Sequence, residues 1–207
     1  LAAIVAVIAM LLGERFPIVG GAIFAIVFGM LIRNTMGVMP VFLPGIRFAS
    51  KQVLQLSIIA LGFGLSIQQV VKTGLDSMGV TLVTIAVAFL VAFFVGRLLS
   101  ISSNLKTLIG VGTAICGGSA IAAVSPVIQS EEHETALAIS TSVIFTVVAV
   151  VVFPFSGHWF AMSDLGFGMW AGTAINDTSS VVAAAYSYSQ EAGDYATIVK
   201  LTRATFI

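Results

Sequence analysis

Charge is scarce in this sequence. Only 9% of its 207 residues are Asp, Glu, Lys or Arg, against 58% hydrophobic. A soluble domain carries roughly 25% charged residues, so a water-soluble fold is excluded. Disorder is excluded too, because it needs low hydrophobicity and high net charge. Neither sign is in excess: nine basic residues face nine acidic ones. Without a basic footprint, nucleic acid is not an expected partner. The single cysteine, Cys116, cannot close an internal disulfide. No Gly-x-x-x-x-Gly-Lys-Ser/Thr loop and no Gly-x-Ser-x-Gly elbow occurs. The chain therefore reads as a non-enzyme, with no cofactor and no metal.

What the sequence has instead is long uncharged runs: residues 16–32, 52–71, 77–96 and 107–130, and 135–163 apart from His158. About 20 helical residues cross a hydrocarbon core of about 30 Å, and a helix satisfies its own backbone in lipid. A membrane barrel would alternate apolar and polar residues, which Phe89-Leu-Val-Ala-Phe-Phe-Val95 does not. Helices are expected near 1–12, 17–32, 52–70, 79–96, 106–129, 136–155 and 165–188, with another from about 195. The fold class is all-α, a polytopic membrane protein with about seven or eight transmembrane helices. Residues 1–207 form a single transmembrane domain. Leu1 lies inside an apolar run and Ile207 follows the start of a helix, so truncation at both ends is expected.

Charges between the runs define two faces. One holds Arg33, Arg47, Lys51, Arg97 and Lys106. The other holds Arg15 and Lys72 with Glu131, Glu132, Glu134, Glu191 and Asp194. The basic face is expected to be cytoplasmic. Pro40, Pro44 and Gly45 predict an irregular connection over 34–50, lying at the interface.

The most informative feature is an internal repeat. Gly112-Thr-Ala-Ile-Cys-Gly-Gly-Ser119 recurs as Gly172-Thr-Ala-Ile-Asn-Asp-Thr-Ser179. Each copy sits inside an apolar run and is dense in small and hydroxylated residues. Glycine weakens a helix interior, while Thr, Asn, Asp and Ser compete with the helix ladder and cap new helices. Two broken helices are therefore predicted, over 106–129 and 165–188. One half ends near Ile115 or Ile175, and the next begins near Ser119 or Thr178. Secondary transporters place substrate and coupling ions at such breaks. The plainer alternative is small residues allowing close packing, as Gly168-x-x-x-Gly172 would. One full span between the copies makes both run in the same direction, so an inverted partner is expected beyond the chain's end.

Asp177 lies far from any other charge within its run, and intramembrane acids are usually functional. It reads as a carrier of the coupling proton or sodium, or as a helix N-cap. Lys200 and Arg203 share a helix face; they read as charge partners for Asp177 or the substrate, or as snorkelling side chains. Cys116 reads as a packing residue beside the site. Glu132-His133-Glu134 reads as a solvated acidic loop.

Over residues 112–123 and 172–185, followed by Lys200-Leu-Thr-Arg203, the sequence resembles the YeiH-like family. These are bacterial inner-membrane proteins described as sulfate exporters. Residues 17–32 and 45–64 also fit, so the resemblance spans nearly the whole chain, with Ile-Cys-Gly-x-Ser-Ala-Ile-Ala-Ala its most specific block. The resemblance implies a relation to sodium–proton antiporter and bile-acid symporter folds, in which crossed broken helices form the ion site. It also implies a multi-pass protein of the bacterial inner membrane.

The expected function is a secondary active transporter exporting a small anion, sulfate or a sulfonate, coupled to protons or sodium. Thr113, Cys116, Gly117, Gly118, Ser119, Asn176, Thr178 and Ser179 are the candidate substrate ligands, and Asp177 the ion-coupling residue. A monovalent cation–proton antiporter and a non-transporting sensor or scaffold with a ligand pocket are the alternatives. Expected partners are the lipid bilayer, the small anion, the coupling proton or sodium, and a second copy in a homo-oligomer.

Overall fold

The computed structural model describes residues 2–15, 20–35, 37 and 40–205, and among them every regular element is helical. The expected helix start at 17, residues 36, 38 and 39 of the 34–50 connection, Leu1 and the last two residues lie outside this set.

Helices α1 (Ala2–Arg15) and α2 (Gly20–Thr35) pair closely, with Gly21 against the backbone of Ala9 and Met10. The 34–50 connection is more regular than expected. A 3-10 turn at Pro40–Phe42 leads into α3 (Leu43–Phe48), and a π-helical turn at Ala49–Val53 joins it to α4 (Leu54–Gly64). Pro44 occupies the first turn of α3, where a missing N–H costs nothing because that group has no intrahelical partner. The proline starts a helix there instead of preventing one.

The expected helices at 52–70 and 79–96 are also redrawn. The chain breaks at Leu65 and Ser66, and α5 (Ile67–Leu98) then runs unbroken for 32 residues, about 48 Å. Ser66 caps it by accepting a hydrogen bond from the Gln69 N–H at 3.1 Å, the serine-x-x-glutamine start signal. Lys72 and Asp76, expected in a loop, are four residues apart on the exposed face of this helix. Their opposite charges mark a helix face, and a loop is unnecessary.

The remainder comprises α6 (Ser103–Ala114), α7 (Gly118–Val124), α8 (Glu132–Trp159), α9 (Asp164–Ala174), α10 (Thr178–Tyr188) and α11 (Gln190–Ala204). Among the described residues two helices, α5 and α8, are long and apolar enough to cross a membrane. Both copies of the repeat interrupt their helices where the sequence predicts, at 115–117 and 175–177.

After each break the chain turns back. Ser102, at the foot of α6, donates a hydrogen bond to Glu134, at the foot of α8. Leu108 and Ile121 share one buried cluster with Ala138, flanked by Leu105, Val124 and Ile128. In a straight helix the 13 residues from Leu108 to Ile121 would span about 20 Å. The α6–α7 pair is thus a hairpin whose ends lie together at the start of α8. The α9–α10 pair repeats the design at the other end of α8. Ser189 donates to Asp164, the Tyr188 hydroxyl donates to the Met162 carbonyl at 2.5 Å, and Tyr188 stacks on Phe167 with ring centroids 4.0 Å apart.

Because α8 spans about 42 Å between the two hairpin bases, the hairpins enter from opposite ends. The two repeats therefore run in opposite directions. This overturns the same-direction expectation: each copy returns to its own side, so α8 alone reverses the sense of the second. The inverted partner lies inside this chain. The acidic cluster, which caps and opens α8, also changes face, since Glu131, Glu132 and Glu134 lie at the end shared by Arg97 and Lys106. The other end of α8 carries exposed Trp159 and Phe160, residue types that suit a membrane–water interface.

Sidedness gives a direct check. In a Cys116→Ser background, His133→Cys and Arg97→Cys are expected to react with an impermeant maleimide from one side of the bilayer, and Trp159→Cys from the other. Labelling of His133→Cys and Arg97→Cys from opposite sides would show that α6–α7 crosses instead.

Candidate functional site

The two hairpin tips meet in the middle of this arrangement, and α11 holds them. Helix α11 is capped by Ser189, which accepts from the Ala192 N–H at 3.0 Å. It starts at 190 instead of the expected 195. It lies directly against α9, because a Cβ on Gly168 would come within 2.9 Å of the Ala192 carbonyl and one on Gly172 within 2.9 Å of the Ala196 carbonyl. The glycine spacing in α9 therefore serves close packing, and the break follows just beyond it.

This contact carries Lys200 and Arg203 into the protein interior, 0% and 2% exposed. They share a helix face as expected, but they do not snorkel. The Lys200 ammonium donates to the Ile115 carbonyl at 2.9 Å and the Ile175 carbonyl at 3.0 Å. The Arg203 guanidinium donates from Nε to the Ala114 carbonyl at 2.5 Å and from a terminal nitrogen to the Thr113 carbonyl at 2.6 Å. Its other terminal nitrogen donates to the Thr173 carbonyl. Both half-helices ending at the tips have unpaired carbonyls and a partial negative charge at that end. The two cations satisfy both. One strip of α11 thus ties together the C-termini of two inverted half-helices.

Asp177 is not a direct hydrogen-bond partner of either cation. Its carboxylate caps α10, accepting from the Ser180 N–H and the Ser180 hydroxyl, each at 3.0 Å, and from the Ser179 hydroxyl. Ser179 is therefore engaged by Asp177. Asp177 remains an electrostatic neighbour of Lys200, so the aspartate sits within the field of that buried cation.

Gly117 shapes the first tip. Its φ of 69° lies in the left-handed region, open to glycine at little cost. A Cβ there would approach the Ser142 Oγ to 2.8 Å and the Asn176 Cβ to 3.4 Å. The two tips and α8 thus touch at one point. Beside it lies a cavity of about 300 Å³ whose polar wall is Thr113, Ser142 and Asn176. Asn176 is 9% exposed, and its amide oxygen has no hydrogen-bond partner.

Of the candidate ligands, Thr113 and Asn176 line this cavity and Gly117 adjoins it. Gly118 and Ser119 open α7, Thr178 opens α10, and Cys116 is half-buried at the first tip. Ser142 was missed by the sequence reading. Its signal was available as a polar interruption, Ser140-Thr141-Ser142, in the apolar run 136–155. Outside this site, His133 pairs with Glu131 at 3.1 Å, both largely exposed, but the expected solvated loop is instead the first turn of α8: residues 132–134 are helical, and Glu134 is buried and accepts from Ser102.

A family model described as conserved hypothetical protein 698 matches residues 1–207. A UPF0324 membrane protein of Clostridium tetani is 45% identical over 203 residues, covering 97% of this chain and 59% of the relative. One from Streptococcus pneumoniae serotype 4 is 45% identical over 204 residues, covering 97% and 61%. UPF0324 membrane protein FN0533 of Fusobacterium nucleatum is 44% identical over 198 residues, covering 93% and 57%. The chain thus spans 57–61% of the length of these relatives. No solved structure matches it.

Proposed function

This chain belongs to the conserved hypothetical protein 698 family, whose relatives are membrane proteins, and we propose that it forms the core of a secondary transporter for a small anion. The transporter sits in the bacterial inner membrane as a multi-pass protein, and its flux is coupled to protons or sodium. The observation that carries this reading is the pair of buried cations at the crossing. Lys200 and Arg203 hydrogen-bond to backbone carbonyls, and among the described residues neither forms an ion pair with a carboxylate.

The charge balance favours an anion. Helix ends contribute about half a charge each, negative at the two ending half-helices and positive at the two restarting ones, and these cancel to first order. Two cations and one ionised Asp177 leave an excess of about one positive charge. A proton or sodium ion on Asp177 raises that excess and strengthens the hold on an anion. Cation loading and anion binding are then linked through one site, which is what coupled transport requires. Backbone left irregular at this depth is tolerated where it is buried in protein or lines a polar cavity, and the tips meet that condition.

The intact protein in liposomes is expected to move labelled sulfate or a labelled sulfonate at least tenfold faster than protein-free vesicles, with flux responding to a pH or sodium gradient. Proton flux on adding sodium or potassium, with no anion dependence, would favour a cation–proton antiporter. Saturable anion binding without flux would favour a sensor or scaffold.

A further inference from the structure

We propose that the cavity between the hairpin tips and α8 takes an organic anion with a short apolar tail, such as an alkanesulfonate, in preference to a bare inorganic oxyanion. This rests on the anion-transport reading and names its substrate class. Three observations converge on it.

The first is the shape of the lining. Thr113, Ser142 and Asn176 form one polar wall, while Ile109, Ile121 and Phe145 form much of the remainder. A small polar cluster against an apolar wall orients an amphipathic ligand, with its head on the hydrogen-bonding groups and its tail on the hydrocarbon. The volume of about 300 Å³ lies at the lower end of the range for small-molecule sites. A five-atom oxyanion would leave the apolar wall unmatched.

The second is Asn176. Its amide is nine-tenths buried, lines the cavity, and has an oxygen with no partner. A half-turn of the amide exchanges the oxygen and the NH2 group. No hydrogen bond inside the protein fixes that oxygen, so the amide can turn its NH2 group to a ligand without giving one up. Buried polar groups are seldom left unpaired in native structures, so a ligand or water at this position completes the site.

The third is where the cations point. Lys200 and Arg203 donate to tip carbonyls and do not line the cavity. No charged side chain lines the cavity, so no charged donor touches a ligand there. A dianion stripped of its hydration by neutral donors alone is poorly compensated. A monoanion carries less charge to desolvate, and its tail gains from burial against Ile109, Ile121 and Phe145.

The test is calorimetric binding of sulfate, ethanesulfonate and butanesulfonate to the purified intact protein. Burying each added methylene tightens binding about fourfold, so butanesulfonate is expected to bind about 15-fold more tightly than ethanesulfonate, with sulfate weakest. Ala174, exposed on the cavity wall, offers a way to fill it: Ala174→Phe should abolish the chain-length dependence. Phe145→Ala, at an exposed position, should weaken butanesulfonate and leave ethanesulfonate nearly unchanged. Equal affinity for all three anions, a chain-length dependence that survives both substitutions, or no binding of any probe overturns the inference. Gradient-driven flux of labelled sulfate or a labelled sulfonate in liposomes of the same preparation decides the transport reading separately.

Discussion

Arg203→Met is expected to destabilise the protein by about 3 kcal/mol or more and to loosen both hairpin tips at once. Three of the carbonyls that end α6 and α9 accept from this one guanidinium, and hydrogen bonds to charged donors contribute about 1.5–3 kcal/mol each, not additively. Methionine fills much of the space but donates nothing, so the carbonyls of Thr113, Ala114 and Thr173 lose their partner. Arg203→Lys should fall between wild type and Arg203→Met, because a compact ammonium cannot reproduce the planar fork. Thermal unfolding in detergent measures the loss, and backbone amide exchange locates it. Protection should fall in the last turns of α6 and α9 together, although these lie far apart in sequence. If exchange rises only within α11 and both tips keep their protection, Arg203 does not tie them together.

Asp177→Asn is expected to separate coupling from folding. Asparagine caps a helix about as well as aspartate, so α10 should persist and thermal stability should change by less than about 0.5 kcal/mol. The carboxylate is gone, however, and with it the group proposed to load a proton or sodium beside the buried cations. Gradient-driven anion flux should fall at least tenfold, while anion exchange without a gradient continues. Asp177→Ala removes cap and carboxylate together and should cost about 1 kcal/mol of stability in addition. Flux in Asp177→Asn that still follows the pH or sodium gradient would assign coupling to another group. Equal stability of the Asn and Ala variants would show that the cap contributes little.

Much of the architecture was legible because its causes are local. A repeat dense in Gly, Thr, Asn and Ser interrupts a helix wherever it lies, and the half-helix ends at 114–118 and 174–178 follow. The i, i+3 spacing of Lys200 and Arg203 put them on one face, and the structure keeps them there. Elsewhere local signals misled. Pro44 looked like a breaker but opens a helix. Lys72 and Asp76 looked like a loop because charge marks the ends of most other runs, yet they lie on α5. Ser142 was missed because its role depends on Gly117 and Asn176, which approach it only in three dimensions.

The sequence by itself determined an all-helical membrane protein with two related helix breaks, since hydropathy and helix-breaking chemistry act over a few residues. Only the tertiary structure decided which way the chain leaves each break. That direction depends on a left-handed Gly117 and on closure of each hairpin base, Ser102 on Glu134 and Ser189 on Asp164. Such contacts join residues 25 to 32 positions apart, which no short-range pattern encodes. With the direction settled, the scarce charges acquire their meaning: Lys200 and Arg203, two of only nine basic residues, are buried where two inverted half-helices end and need positive charge.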